Sequence, residues 1–314
     1  MTSLAALRYL VALNEHRHFA RAAQACHVTQ PTLSNALRGL EEEFGTPIVK
    51  RGRTYAGLTA EGERILKTAQ LMLHEHARLV QDLAASAEQP QGALHIGVVP
   101  TAVPMAARFA VQLQGRHPGI APVVRSLSSR EIEEGLDSLA LDLGLGFAER
   151  WSLPQAAARL SLLPQYEEHY FLVRRAPRPA AQLQMGQALA WAEAARLPLC
   201  LLTPDMHNRS LVDSAFARAG VPVKPVMETN SVLTLTLTVQ AGQLASVLPG
   251  ALVGALRHQG ELEALPLVEP VMCTPLAFAV SRQVQPSRAL QAALALAADA
   301  DWLAQAGAHS GRLA

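Results

Sequence analysis

The chain changes character at Glu88-Gln89-Pro90-Gln91-Gly92. Before that polar breaker, residues 1–88 carry two prolines, Pro31 and Pro47, and few β-branched side chains. Their apolar residues recur at helical spacing. After it, strand-like runs (94–99, 121–127, 141–145) alternate with helix-like ones (103–114, 130–139). A second alternating set follows at 169–174, 199–202, 211–219, 224–228, 231–240 and 244–248, then a strand at 272–280 and one Ala/Leu-rich helix over 287–306. Helices first and βαβ alternation afterwards predict an all-helical N-terminal unit and an α/β unit with a parallel sheet.

Four helices fit the first unit. Leu4, Leu7, Leu10 and Val11 share one face of a helix over 4–15, and a second helix covers 20–26. The third opens at Thr29-Gln30-Pro31, an N-cap followed by a proline suited to a first turn. Leu33, Leu37, Leu40 and Phe44 step along its inner side, which leaves Thr32, Ser34, Asn35 and Arg38 outside. Helix, short turn (His27-Val28-Thr29) and helix make a helix-turn-helix, whose second helix presents side chains to base edges and N–H groups to phosphates. Thr46-Pro47-Ile48-Val49-Lys50-Arg51-Gly52-Arg53 follows as a basic β-ribbon, or wing.

The whole chain is balanced, with 27 Lys+Arg against 26 Asp+Glu, which excludes a chain-wide polycation. Residues 1–58 are not balanced: Arg8, Arg17, Arg21, Arg38, Lys50, Arg51 and Arg53 face only Glu15, Glu41, Glu42 and Glu43, a net of +3. The cations sit on the wing and near the start of the third helix, the acids at its far end. That separation points to double-stranded DNA, although an ordinary solvated helix pair has the same residues. Three scattered cysteines exclude a disulfide scaffold. No signal peptide and no membrane span are expected, so the chain reads as cytoplasmic.

The N-terminal signature of the LysR-type bacterial transcriptional regulators is closely similar. The shared residues are Phe19-Ala20-Arg21-Ala22-Ala23, Val28-Thr29-Gln30-Pro31-Thr32-Leu33-Ser34, Leu40-Glu41-Glu42-Glu43-Phe44-Gly45, Pro47-Ile48-Val49, Arg51 and Leu58-Thr59-Ala60-Glu61-Gly62. Val98-Val99-Pro100-Thr101-Ala102, Leu141-Asp142-Leu143-Gly144-Leu145 and Val247-Leu248-Pro249 extend the resemblance. It implies a winged helix-turn-helix over 1–58, a dimerising linker helix over 59–88, a hinge at 89–92 and an effector domain over 93–314. That domain would resemble a periplasmic binding protein, with lobe I at 93–162 and 268–314 and lobe II at 163–267. The resemblance also implies that Thr29, Gln30, Pro31, Thr32, Ser34, Asn35 and Arg38 face DNA, with Arg51 and Arg53 on the wing. Two positions depart from the family pattern. Ala20 replaces the usual Ser or Thr, so the second helix lacks its usual cap, and Asn35 stands where many members carry Arg or Gln.

Thr59 reads as the N-cap of the linker helix, with Glu61 and Glu63 in its first turn. Ile65, Ala69, Met72, His76, Leu79 and Leu83 then form a heptad seam, widened by Leu66, Leu73 and Val80. Twenty-eight helical residues span roughly 40 Å, more than a small winged domain covers. The seam is therefore expected to join two chains as a homodimer, or a dimer of dimers.

In the effector domain, ligands of open parallel sheets sit at strand ends. Pro100, Thr101 and Ala102 follow the first strand, Ser128 and Ser129 the second, Phe147 the third, and Thr203 and Asn230 two strands of the second lobe. These eight are the candidate effector contacts, for a small anion such as a carboxylate, although Ser and Thr also cap helices anywhere. Cys200 and Cys273 read as buried thiols. His16, His18, His74 and His76 lack ligand company, so no metal or cofactor is expected, and no enzyme motif is present. The favoured function is an effector-switched, sequence-specific transcriptional regulator, with RNA polymerase as a further candidate partner. A periplasmic solute-binding protein, or a cytosolic two-lobed binding protein or enzyme whose N-terminal helices only dimerise, stay open as alternatives.

Overall fold

The computed structural model describes residues 3–50, 55–84 and 90–310. Two compact units divide the chain, residues 1–88 and 89–314.

The first unit holds α1 (Leu4–His16), α2 (Phe19–Ala25), α3 (Gln30–Phe44) and α4 (Ala60–Ala84). Leu7, Leu10 and Leu13 of α1 meet Ala22 and Ala23 of α2 and Leu33, Leu37 and Leu40 of α3 in one core, closed by Ile48, Leu58, Leu66 and Ala69. Phe44 departs from the expected inner stripe and is 44% exposed. α2 is not left uncapped: Nδ1 of His18, two residues before Ala20, accepts the Ala20 N–H at 3.2 Å. Thr59 caps α4, accepting from Gly62 N–H at 2.9 Å while donating to the Pro47 carbonyl at 2.6 Å. The expected ribbon is present at its base. Val49 bridges Leu58 in antiparallel fashion, Lys50 N–H donates to the Gly57 carbonyl and Thr59 N–H to that of Ile48. Arg51 and Arg53 lie outside the described residues.

The second unit begins with β1 (Gly92–Val98), α5 (Val103–Arg116), β2 (Ile120–Ser126), α6 (Ser129–Asp137) and β3 (Leu143–Phe147). Here β1 pairs with β2 and β3 in parallel, as the alternation predicts. Two single-turn helices, α7 (Ala148–Trp151) and α8 (Pro154–Ala157), lead to β4 (Leu160–Arg175). Next come β5 (Gln184–Met185), β6 (Leu189–Ala190), α9 (Trp191–Ala194), β7 (Cys200–Leu202), α10 (His207–Arg218), β8 (Met227–Thr229), α11 (Val232–Ala241), β9 (Ser246–Pro249) and α12 (Gly250–Ala255). The chain returns through β10 (Leu262–Val268) and β11 (Cys273–Ser281), and ends in α13 (Arg288–Ala297) and α14 (Ala300–Ala308).

The sheet is mixed where a parallel one was expected. β11 runs antiparallel to both β3 and β4, and β4 antiparallel to β9 and β10. The reason is β4 itself, a single 16-residue strand that pairs with β11 through its first ten residues and with β9 and β10 through its last six. Only 169–174 reads as a strand in the sequence, because Pro164, Gln165, Glu167 and Glu168 break the apolar pattern of the rest. A register shift between Leu276 and Ala277 leaves Gln165 unpaired in the β4–β11 ladder. Its side chain turns inward, donating to the Ala297 carbonyl and accepting from the Trp302 indole.

Lobe I packs one core around Phe109, Trp151, Phe278 and Trp302. Lobe II packs two, one around Trp191 and Phe216 and one around Phe171 and Leu252. The single helix expected over 287–306 is two. Asp299 separates them and caps α14, its carboxylate accepting from the N–H groups of Asp301 and Trp302.

Candidate functional site

Two surfaces carry the candidate residues, one in each unit. On the first, α2 and α3 meet through a tight turn in which His27 takes a left-handed φ of 55°. Thr29 caps α3 from the turn, its hydroxyl accepting the Thr32 N–H at 3.3 Å and lying 2.9 Å from the Thr32 hydroxyl. Gln30, Pro31, Thr32, Asn35 and Arg38 are exposed along the outer side of α3, with Ser34 half-buried among them. Arg38 and the exposed Lys50 line one groove between α3 and the wing base. A residue missed in the sequence sets that groove's shape. Glu41, in the sequence one of the acids at the far end of the third helix, accepts from the N–H groups of Ile48 and Val49 at 2.8 and 3.1 Å. Its carboxylate thus ties the wing base to α3.

The linker seam divides in two. Ala69 is buried against its own winged helices and Ile65 packs beside it. Met72, Leu79 and Leu83 are 52%, 55% and 78% exposed. His76 is half-buried. Leu7, Phe44, Ile65, Ala69 and Met72 line one apolar groove along α1, α3 and α4, which accounts for the exposure of Phe44.

In the second unit, strand ends of both lobes converge on one cavity. Val99, Pro100, Thr101, Ser128, Ser129 and Phe147 line it from lobe I, and Leu202, Met206, His207 and Asn208 from lobe II. Five of the eight expected contacts, Pro100, Thr101, Ser128, Ser129 and Phe147, are therefore together. Ala102 lies in the lobe I core with no exposed surface. Thr203 and Asn230 do not line the cavity; Thr203 opens the turn into α10, and Asn230 is exposed after β8.

The two adjacent serines differ in what their hydroxyls do. Ser128 closes a reciprocal capping box with Glu131, its own N–H donating to the Glu131 carboxylate at 2.8 Å. Ser129 is 7% exposed and its hydroxyl has no partner. His207 lines the same cavity from the first turn of α10. The ring stacks edge-on against Phe147, 4.8 Å between centroids, and Nε2 sits 3.0 Å from the Glu149 carboxylate of lobe I. Asn208 donates to the Tyr170 hydroxyl at 3.4 Å, which in turn lies 3.1 Å from the Thr274 hydroxyl. His207 and Asn208 went unrecognised in the sequence because α10 begins there, four residues before the apolar run that marks it.

Near this network Glu168 is fully enclosed. Burial pushes its carboxyl up to about 8, although the Ala251 N–H, donating at 2.7 Å, favours the ionised form. The open space of the cavity is about 10 Å³, room for a single water. None of the three cysteines lines it. Each thiol is pushed up, chiefly by burial, whereas a reactive thiolate requires a lowered value. Cys200 is buried as expected; Cys273 is exposed, because the alternation of β11 turns residues 273 and 275 to solvent. Among the described residues no helix is long and apolar enough to cross a membrane.

Both units match one family of known proteins. Residues 4–63 match the bacterial regulatory helix-turn-helix protein, lysR family, and residues 87–302 the LysR substrate binding domain. The DNA-binding transcriptional dual regulator OxyR of Escherichia coli strain K12 is 29% identical over 265 residues, covering 84% of each chain. A probable hydrogen peroxide-inducible genes activator of Mycobacterium avium is 30% identical over 220 residues, covering 70% of this chain and 68% of its own. Among solved structures, full-length OxyR from Pseudomonas aeruginosa superposes with a TM-score of 0.68 at 27% identity, covering 93% of this chain and 96% of that one. CbnR complexed with its target DNA gives 0.64 at 19% identity over 97% and 100%, a likeness of fold. A helix-turn-helix with an exposed basic face, joined to two lobes that close on a small cavity, and two family matches covering most of the chain identify it as a LysR-type, DNA-binding transcriptional regulator with an effector-binding domain, and not an enzyme.

Proposed function

We propose that this regulator is switched by a small polar effector held without covalent chemistry between Thr101 and Ser129 of lobe I and His207 of lobe II. The observation that carries this is the Ser129 hydroxyl, enclosed yet without a partner at a cavity wall. A buried orphan hydroxyl costs about 1–3 kcal/mol, which a ligand oxygen would recover. The first-turn N–H groups of α6 that the capping box does not engage and the His207 ring favour an anion such as a carboxylate. That anion would compete with Glu149 for His207. Because the cavity has room for only one water, a carboxylate enters only if the lobes part, so effector binding and lobe motion are coupled.

The relatives named for hydrogen peroxide suggest thiol oxidation as a second reading. The raised thiols and their absence from the cavity favour a bound effector instead. The DNA-facing set is Thr29, Gln30, Pro31, Thr32, Ser34, Asn35 and Arg38, with Arg51 and Arg53 on the wing. Pairing of two chains runs through Met72, His76, Leu79 and Leu83, with Ile65 and Phe44 at its start and Ala69 left to its own winged core, and four chains form by pairing of pairs. RNA polymerase is the proposed partner of the DNA-bound protein, and the cytoplasm its place of action. The winged domain spans 1–58, the linker helix 59–88, the hinge 89–92 and the effector domain 93–314, with the lobes meeting along β4.

Thermal-shift screening of the full chain against small carboxylates, before and after hydrogen peroxide treatment, tests the switch. Carboxylate hits lost in Ser129→Ala are expected. A peroxide-dependent change in DNA affinity that disappears on replacing a cysteine would overturn the non-covalent reading.

A further inference from the structure

A cluster of ligand-type side chains lies on the strands that link the lobes. His169 and Cys273 are directly paired across β4 and β11, and Glu167 stands two residues before His169, so all three point from one face of the ladder. One ligand atom from each lies within 4.8 Å of the others. Cys273 Sγ is 3.3 Å from His169 Nδ1. Two ligands of a tetrahedral zinc ion, with bonds of about 2.3 Å to sulfur and 2.0 Å to nitrogen, stand roughly 3.5 Å apart. The register of two paired strands therefore holds the sulfur and nitrogen near coordinating separation before any ion arrives.

We propose that Glu167, His169 and Cys273 form a binding site for a thiophilic divalent cation, with Zn²⁺ the best match. A thiolate, a carboxylate and a neutral imidazole carry two negative charges, which a divalent cation balances. The mixed sulfur, nitrogen and oxygen set suits borderline-soft zinc and not Mg²⁺ or Ca²⁺. On binding, the Cys273 thiol gives its proton to solvent and the sulfur lone pair to the metal. Glu167 and Cys273 are exposed, so the fourth coordination position opens to water and the ion exchanges freely. His169 and Cys273 lie 104 residues apart in the sequence, so no local spacing motif joins the cysteine to the other two ligands. They sit where β4 passes from pairing with β11 to pairing with β9 and β10, so a bound ion clamps the strands at the junction of the two lobes.

The reduced, metal-free full-length protein is titrated with Co²⁺, whose thiolate charge-transfer and tetrahedral d–d bands report a Cys-bound ion. One Co²⁺ per chain is expected, displaced by Zn²⁺, with the sulfur band absent from Cys273→Ser. Glu167→Gln, at an exposed position, should keep the band and weaken affinity by on the order of 10-fold or more, since even supporting residues cost that much. A parent without the band, a band that survives Cys273→Ser, or unchanged affinity in Glu167→Gln each overturns the site. Metal binding is read directly, so either outcome leaves the DNA-binding and effector assignments untouched.

Discussion

Ser128 and Ser129 are neighbours with opposite roles, and substitutions separate them. Ser128→Ala removes a hydroxyl committed to the capping box. It should cost about 1 kcal/mol of effector-domain stability, measured by denaturant unfolding. Ser129→Ala removes a buried hydroxyl that has no partner. It should leave stability unchanged or slightly raised while abolishing carboxylate-induced thermal shifts. Equal destabilisation by both would mean that Ser129 also serves the fold. The sequence displayed the hydroxyls but not this difference, because strand-end serines cap helices and bind anions by the same donor chemistry. His18 shows the same limit: a cap was sought at Ala20, where the family places one, while an imidazole two residues earlier supplied it. His207 reaches the cavity through tertiary stacking on Phe147, which no local sequence pattern encodes.

At the scale of elements, α4 has two jobs along its length. Its first turns pack into the winged core, and further along Met72, Leu79, Val80 and Leu83 of the apolar stripe are exposed. Met72→Glu combined with Leu79→Glu should convert the oligomer into monomer or aggregate, because a shared seam cannot take unpaired charge; light scattering gives the mass. An unchanged oligomer would place the interface elsewhere. On α3, Asn35→Ala should relax base preference by roughly 1–3 kcal/mol at one position. Lys50→Ala should instead weaken operator and scrambled duplexes alike and reduce the salt slope by about one. Gel shifts at two salt concentrations distinguish them. The helices of the first unit were legible because their caps and apolar spacing are local. β4 was mostly illegible, because a strand crossing two lobes changes its buried face along its length, and no single alternation describes it. Asp299 ended a helix that composition alone ran straight through.

For the whole molecule, Glu168 makes stability depend on pH. Its carboxyl is held near 8 when folded against 4.5 when free, so the folded state retains a proton that the unfolded chain releases. The contribution is complete below pH 4.5 and fades as pH rises through about 8. The melting temperature should therefore fall from pH 5 to pH 8. Glu168→Gln, which keeps an acceptor for the Ala251 N–H, should flatten that slope and melt higher than the parent at pH 8. A parallel pair of curves would assign the slope to other groups. The carboxylate of Glu41, gripping the Ile48 and Val49 amides, bears on how any signal reaches DNA. It ties the wing base to α3, so in the proposed pairing of two chains each helix-turn-helix with its wing base would act as one calliper jaw of fixed profile. A jaw that cannot change its own shape transmits a message only through the gap to its twin. Induction should thus alter the spacing and bend of the occupied operator, leaving the footprint within each half-site the same.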